Sequence, residues 1–189
     1  MQKAKKAKVT EQAKIINKPQ PVEVKTTPSL EQINNVKQQI PTTMESIFGS
    51  ISWLMLQSPA HRYLFIADYE WLVMPALQLK QFRVIRNDNK PIAYISWAYI
   101  NEETESRIKK QGAPKLAPHE WNNGDGIWII DVVTPFGGGL QILQKLQEID
   151  FKDKQVNLLR PRKDGKGMEG VALKEVLRES AKESGAQTK

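Results

Sequence analysis

Apolar residues recur at helical spacing through Ile47, Phe48, Ile51, Leu54 and Met55, and the run stops at Ser58-Pro59. Positions three and four apart share one face, so this stretch predicts an amphipathic helix with its apolar stripe on a core. In front of it, Thr42-Thr43-Met44-Glu45 has the form of a capping box, with Thr42 as N-cap and Glu45 reaching back. Proline disfavours the α conformation in the residue before it, which sets the helix end at Ser58. His61 then stands two residues past the proline, held close to a core segment.

Further along, Asp68 is placed to cap a second helix through Leu79, with Pro75 inside it as a kink or stop. Gln81 to Arg86 and Ile92 to Ile100 are rich in β-formers around the turn residues Asn87-Asp88-Asn89-Lys90, which predicts a hairpin. Asn101 caps a short charged helix to about Lys110, and residues 111–126 read as loop. Ile127 to Val133 is an apolar run of strand length interrupted by Asp131. Gly137-Gly138-Gly139 precedes a third substantial helix carrying Leu140, Leu143, Leu146 and Ile149. Val156 to Leu159 reads as a further strand, Asp164-Gly165-Lys166-Gly167 as a turn, and Val171 to Glu183 as a last helix. The order predicts an α+β domain, helices on a mainly antiparallel sheet.

Charge separates a tail from this body. Residues 1–40 hold eight lysines and three glutamates, so they carry +5 of the chain's net +7 and leave +2 for the rest. Residues 1–41 have no aromatic residue and are rich in Lys, Gln, Pro and Thr. Such a composition cannot bury enough surface to offset ordering entropy, which predicts a disordered basic extension. The domain then spans residues 42–184, and residues 185–189 form a disordered C-terminus. No stretch reaches the ~20 apolar residues of a membrane helix. The absence of cysteine removes thiolate metal sites and a thiol nucleophile, and no zinc-type spacing or phosphate-binding Walker loop is present.

Few groups remain for proton transfer near neutrality. His61 is one of two histidines, and its ordinary pKa of about 6.5 suits a general base; the bland alternative is a helix-end surface histidine. Asp131 sits in an apolar strand, where strict alternation places it with Ile127, Ile129 and Val133, opposite Trp128, Ile130 and Val132. A carboxylate there needs a partner, either a structural ion pair or a group that it orients. Ser58 is a nucleophile, a hydrogen-bonding support or only a helix-end serine. Gly137 and Gly138 before a helix suit an anion, and equally a plain turn. His119, in the 111–126 loop, reads as a surface residue.

These residues fall into a recognisable order. Trp53-Leu54, Ser58-Pro59-x-His61-Arg62, Pro75-Ala76, Gln81-Phe82, Pro91-x-Ala93-Tyr94-x-Ser96-Trp97-Ala98, Glu103-x-Glu105, Trp121-x-x-Gly124-Asp125, and Trp128-x-Ile130-Asp131 with Pro135-Phe136-Gly137 follow one another. Together they resemble the toxin-activating lysine acyltransferases of RTX systems, over about residues 47–140. Val132 and Gly138 stand where that family has an aromatic and an acidic residue.

The resemblance implies a GNAT-like fold, a bacterial cytoplasmic location and a tendency to dimerise. It implies transfer of a fatty acyl chain from acyl-acyl carrier protein to internal lysines of a protoxin, with no bound cofactor. It maps the catalytic pair onto His61 and Asp131 and a supporting serine onto Ser58. His61 would take the proton of the attacking lysine, and Asp131 would fix the tautomer. Backbone amides near Ser96 or the Gly137-Gly138 loop would receive the oxyanion. The carrier presents its phosphopantetheine thioester from an acidic surface, so Arg62, Arg83 and Arg86 are candidates for meeting it. Two other readings stand beside this one. One is a GNAT-like enzyme using acyl-CoA. The other is a non-catalytic basic adaptor for nucleic acid, which the low charge of the body disfavours.

Overall fold

The computed structural model describes residues 43–186. The predicted basic extension lies outside the described residues, as do residues 187–189.

The first helix, α1, runs Met44–Gln57. Its cap is Thr43, not Thr42: the Thr43 side chain accepts from the Ser46 N–H at 3.2 Å. Two threonines in succession offered the same chemistry, and the helix starts one residue later than the capping-box pattern predicted. Ile51, Leu54 and Met55 are buried from its apolar stripe, each contributing about 1.5–3 kcal/mol if fully transferred from water. The predicted second helix is divided. A 3-10 turn at Ile66–Asp68 leads into α2 (Tyr69–Leu72), and α3 (Met74–Leu79) follows after Val73. Pro75 falls in the first turn of α3, where a missing N–H costs no helical hydrogen bond.

The hairpin forms as predicted, with β1 at Phe82–Asn87 and β2 at Lys90–Ile100. Asn101 caps α4 (Glu102–Gln111) by accepting from Thr104 N–H. Next come β3 (Gly126–Val133), α5 (Gly139–Ile149), β4 (Val156–Pro161), β5 (Met168–Ala172) and α6 (Leu173–Ala186). The strand β5 takes the first residues of the predicted last helix, and α6 begins only at Leu173. The strands lie in spatial order β1-β2-β3-β4-β5. Every neighbouring pair is antiparallel except β3 and β4, which α5 connects as a parallel crossover. That is the predicted α+β architecture.

Two apolar layers flank the sheet. One joins α1, α2 and α3 to Tyr94, Ala98, Trp128, Ile130 and Val133. The other joins Leu143 and Leu146 of α5, Phe151 and Leu173 to Ile95, Trp97, Ile127 and Ile129. Trp121-x-x-Gly124 tucks against the end of β2: a Cβ on Gly124 would stand 2.4 Å from the Asn101 backbone nitrogen. Trp128 donates its indole N–H to Glu105. These motif residues therefore hold the fold together.

Candidate active site

Ser58 ends α1, and the chain turns over its carbonyl, which accepts from the N–H groups of His61 and Arg62 at 3.1 and 3.0 Å. This closed turn is what Ser-Pro-Ala-His encodes: proline stops the helix and fixes one φ angle. It brings Ser58 Oγ to 2.7 Å from His61 Nδ1. The other ring nitrogen, Nε2, lies 2.9 Å from Asp131 Oδ1, a residue 70 positions away on β3. Read residue by residue, the sequence brought these three forward separately and only the family resemblance grouped them; the fold brings them together.

A β-bulge makes that meeting possible. Ser96 of β2 pairs with Asp131, but the next residue, Trp97, pairs with Ile129. Thus β3 carries one extra residue, Ile130, and its side-chain alternation is reset there. Before the bulge, Ile127 and Ile129 face the α5 layer while Trp128 and Ile130 face the α1 layer. After it, Val132 joins the α5 side and Val133 the α1 side. Asp131 shares the face of Val133 and therefore looks toward His61. The predicted grouping of Asp131 with Ile127 and Ile129 is corrected, because a strict period of two does not survive the bulge.

The electrostatics fit a base and its orienter. His61 and Asp131 side chains are only 16% and 10% exposed. The hydrogen bond to Asp131 raises the His61 pKa above its ordinary value; burial opposes this, and the attraction of the Asp131 charge adds to it. An imidazole between a carboxylate and a hydroxyl has one consistent neutral tautomer. Nε2–H donates to Asp131, and Nδ1 accepts from the Ser58 hydroxyl. The unprotonated nitrogen thus points to Ser58.

The other predicted site residues are dispersed. Arg62 is exposed beside the turn, with its guanidinium 5.6 Å from the Tyr63 ring centroid. Arg83 is paired with Asp150 and packs over Trp97, and Arg86 bonds Ser50 Oγ and the Asn89 carbonyl. Both lie on the edge strand β1, on the rim of a groove floored by Met44, Ile47, Leu77 and Val84. Lys80, at the end of α3, completes that rim. Ser96 is fully buried opposite Asp131, so its side chain is not a surface contact. Gly137 and Gly138 have φ of 85° and 76°. That left-handed backbone accounts for glycine there without any ligand. His119 is exposed on a short 3-10 turn.

Sequence reasoning missed two features of this region. Tyr63, Phe65 and Ile66 lie two to five residues past the histidine and are 81%, 78% and 82% exposed. Tyr94 lies fully buried on the strand face of Asp131. Its spacing of two from Ser96 was the available signal.

Comparison with known proteins gives the family. Residues 40–174 match the profile of the RTX toxin acyltransferase family. The chain belongs to this family. It is 36% identical over 114 residues to the leukotoxin-activating lysine-acyltransferase LktC of Pasteurella haemolytica-like sp. (strain 5943B), covering 60% of this chain and 68% of that one. It is 33% identical over 114 residues to the protein-lysine myristoyltransferase HlyC of Escherichia coli, covering 60% of this chain and 66% of the relative. The protein-lysine myristoyltransferase RtxC of Kingella kingae is 32% identical over 115 residues, covering 61% and 68% of the two chains. The family resemblance read from residues 47–140 is thereby shown, and the matched region extends past it at both ends. No helix among the described residues is long and apolar enough to cross a membrane.

Proposed function

We propose that this protein transfers a fatty acyl chain from an acyl carrier protein thioester to lysine side chains of a protoxin-like target. The observation that carries the proposal is the continuous Ser58–His61–Asp131 hydrogen-bonded relay in a member of this family. The lysine Nζ attacks the thioester carbonyl. A new N–C bond forms, the C–S bond breaks, and the proton of the amine passes through Ser58 Oγ to His61 Nδ1. Asp131 stabilises the resulting imidazolium, which returns the proton to the leaving thiolate. Without cysteine in the chain, no acyl-cysteine forms on the way.

The surroundings support a long apolar acyl group on an arm. Tyr63, Phe65 and Ile66 present apolar surface beside the base. The pairing between β3 and β4 covers only Ile127–Val156 and Trp128–Asn157. Past Trp128 this edge of β3 offers backbone groups that an amide-bearing pantetheine arm can bond. Lys80 and Arg86, with the Asp150-paired Arg83 beside them, line a groove that suits an acidic carrier. A larger depression of about 820 Å³, lined by Tyr99, Asn101, Glu105 and Asn157, lies at the other end of β3 and includes neither His61 nor Asp131.

Intact-mass spectrometry tests the reading. The protein is incubated with myristoyl-carrier and a coexpressed protoxin-type substrate, and in parallel with myristoyl-CoA. A mass increase of one acyl group per modified lysine, with the carrier as donor, is expected. Transfer from the CoA thioester alone would overturn the carrier assignment, and no transfer from either would overturn the activity.

A further inference from the structure

Behind the His61–Asp131 pair, three buried polar atoms have no hydrogen-bond partner: Asp131 Oδ2, Ser96 Oγ and Tyr94 Oη. Tyr94 and Ser96 are both fully buried. The sheet register groups them. Ser96 is directly opposite Asp131, and Tyr94 is opposite Val133, so all share the α1 face. The Tyr94 ring lies 6.4 Å from the ring of Phe82, the β1 residue paired with Ser96, and the Ser96 hydroxyl is near enough to act on its phenol. Buried hydroxyls cost free energy unless they find an acceptor. The acceptor at hand is the spare carboxylate oxygen of Asp131.

We propose that Tyr94 and Ser96 are positioning residues for Asp131, their hydroxyls acting on Oδ2 across one internal water, which three converging polar atoms suffice to hold. A carboxylate held at Oδ2 cannot rotate away from the imidazole at Oδ1. The bulge at Ile130 delivers Asp131 to this face, and the two hydroxyls fix its plane. Burial pushes the Tyr94 phenol well above its ordinary range, the neighbouring Ser96 hydroxyl opposes this, and the Asp131 charge adds to it. Tyr94 thus stays a protonated donor throughout neutral pH. Asp131 acts on two titratable side chains, His61 from the turn after α1 and Tyr94 from β2.

The inference rests on the dyad reading above, but its test needs no substrate. In the full-length protein, the His61 ring is titrated by nitrogen NMR for wild type, Tyr94→Phe and Ser96→Ala. Donors to Oδ2 matter most when the carboxylate faces a neutral imidazole, and less once an imidazolium compensates its charge. Removing a donor therefore favours the charged ring, and the His61 midpoint moves upward by about half to one pH unit. A midpoint that stays or falls overturns the proposal. Thermal unfolding gives a second reading, because both variants keep the packing nearly intact. Deleting a truly partnerless hydroxyl is neutral or stabilising, so unchanged or raised stability in both variants also overturns it. A shifted midpoint in a protein that proves unable to transfer acyl groups would sink the proposed reaction and leave this inference standing.

Discussion

Ser58 Oγ stands 2.7 Å from His61 Nδ1, the ring nitrogen that Asp131 leaves unprotonated. A proton moving to that nitrogen therefore passes through the hydroxyl or displaces it. In Ser58→Ala the turn survives, because its bonds run through the Ser58 carbonyl. Nδ1 is then open to the amine or to water. Single-turnover acylation should fall about tenfold to a hundredfold, less than the ~10²–10⁴ of a lost general base. A loss as deep as that of His61→Ala, with an acyl mass on wild-type enzyme before target is added, would make Ser58 a nucleophile instead of a relay.

The dyad itself predicts non-additive losses. His61→Ala and Asp131→Asn should each cut single-turnover rate by orders of magnitude in a folded protein. The double variant should be hardly slower than His61→Ala, since residues acting as one unit lose function together. Circular dichroism checks the fold, and His119→Ala, on the exposed 3-10 turn, is the control expected to keep its rate. Losses that multiply would separate the two residues.

The raised His61 pKa sets the direction of two pH effects. For catalysis, the base must be neutral, so the acid limb of the rate profile should lie above the ordinary ~6.5 of histidine. For stability, the folded value exceeds the unfolded one. The pair's contribution is then fully present below about 6.5 and is lost as pH rises through the folded value. Chemical denaturation across that window should show this decline in wild type and not in Asp131→Asn. Equal pH slopes in the two proteins would mean that the pair contributes nothing to folding.

Much of this site was legible as residues, and little of it as geometry. The Ser58-Pro59-Ala60-His61 turn follows from local rules about proline and helix ends. The meeting of His61 with Asp131 depends on Ile130 being one residue too many for its partner strand. Period-two reading has no means of seeing such an insertion, and it placed the carboxylate on the wrong face. The strand β5 was hidden for a related reason. Gly170 weakens its strand signal, yet a Cβ there would come within 2.8 Å of the Trp128 ring. The glycine answers to a tertiary contact and not to local propensity. The buried Ser96 gave no sign of its depth, because a serine in a strand pattern reads alike on either face.

Acyl-chain preference should map to the exposed segment after the dyad. Phe65→Ser and Ile66→Ser remove apolar surface at residues with about four-fifths of their area exposed, so folding should be nearly unaffected. Removing a methylene-sized contact typically costs ~0.8 kcal/mol of apolar burial. The KM for a fourteen-carbon donor should therefore rise about tenfold in the double variant, with the KM for a short-chain donor almost unchanged. Equal effects on both donors would place the chain elsewhere.

Carrier docking gives the last prediction, and the structure changes how it is tested. Reversing Arg83 to Glu would set a second carboxylate against Asp150, and altering Arg86 would cut its bond to Ser50 on α1. Either change mixes docking with packing. Lys80 shares the same groove rim and has no ion pair among the described residues. Its backbone φ of 57° is already met by lysine, and Glu would occupy the same left-handed position at little extra cost. Charge at a rim acts mainly on encounter rate and salt dependence. Lys80→Glu should raise the KM for acyl-carrier several-fold at low ionic strength and keep kcat. The difference should fade as salt shortens the Debye length to about 8 Å near physiological strength and less beyond it. If carrier KM is unchanged at low salt while Arg62→Glu raises it, docking runs over the turn beside His61 and not along the β1 edge.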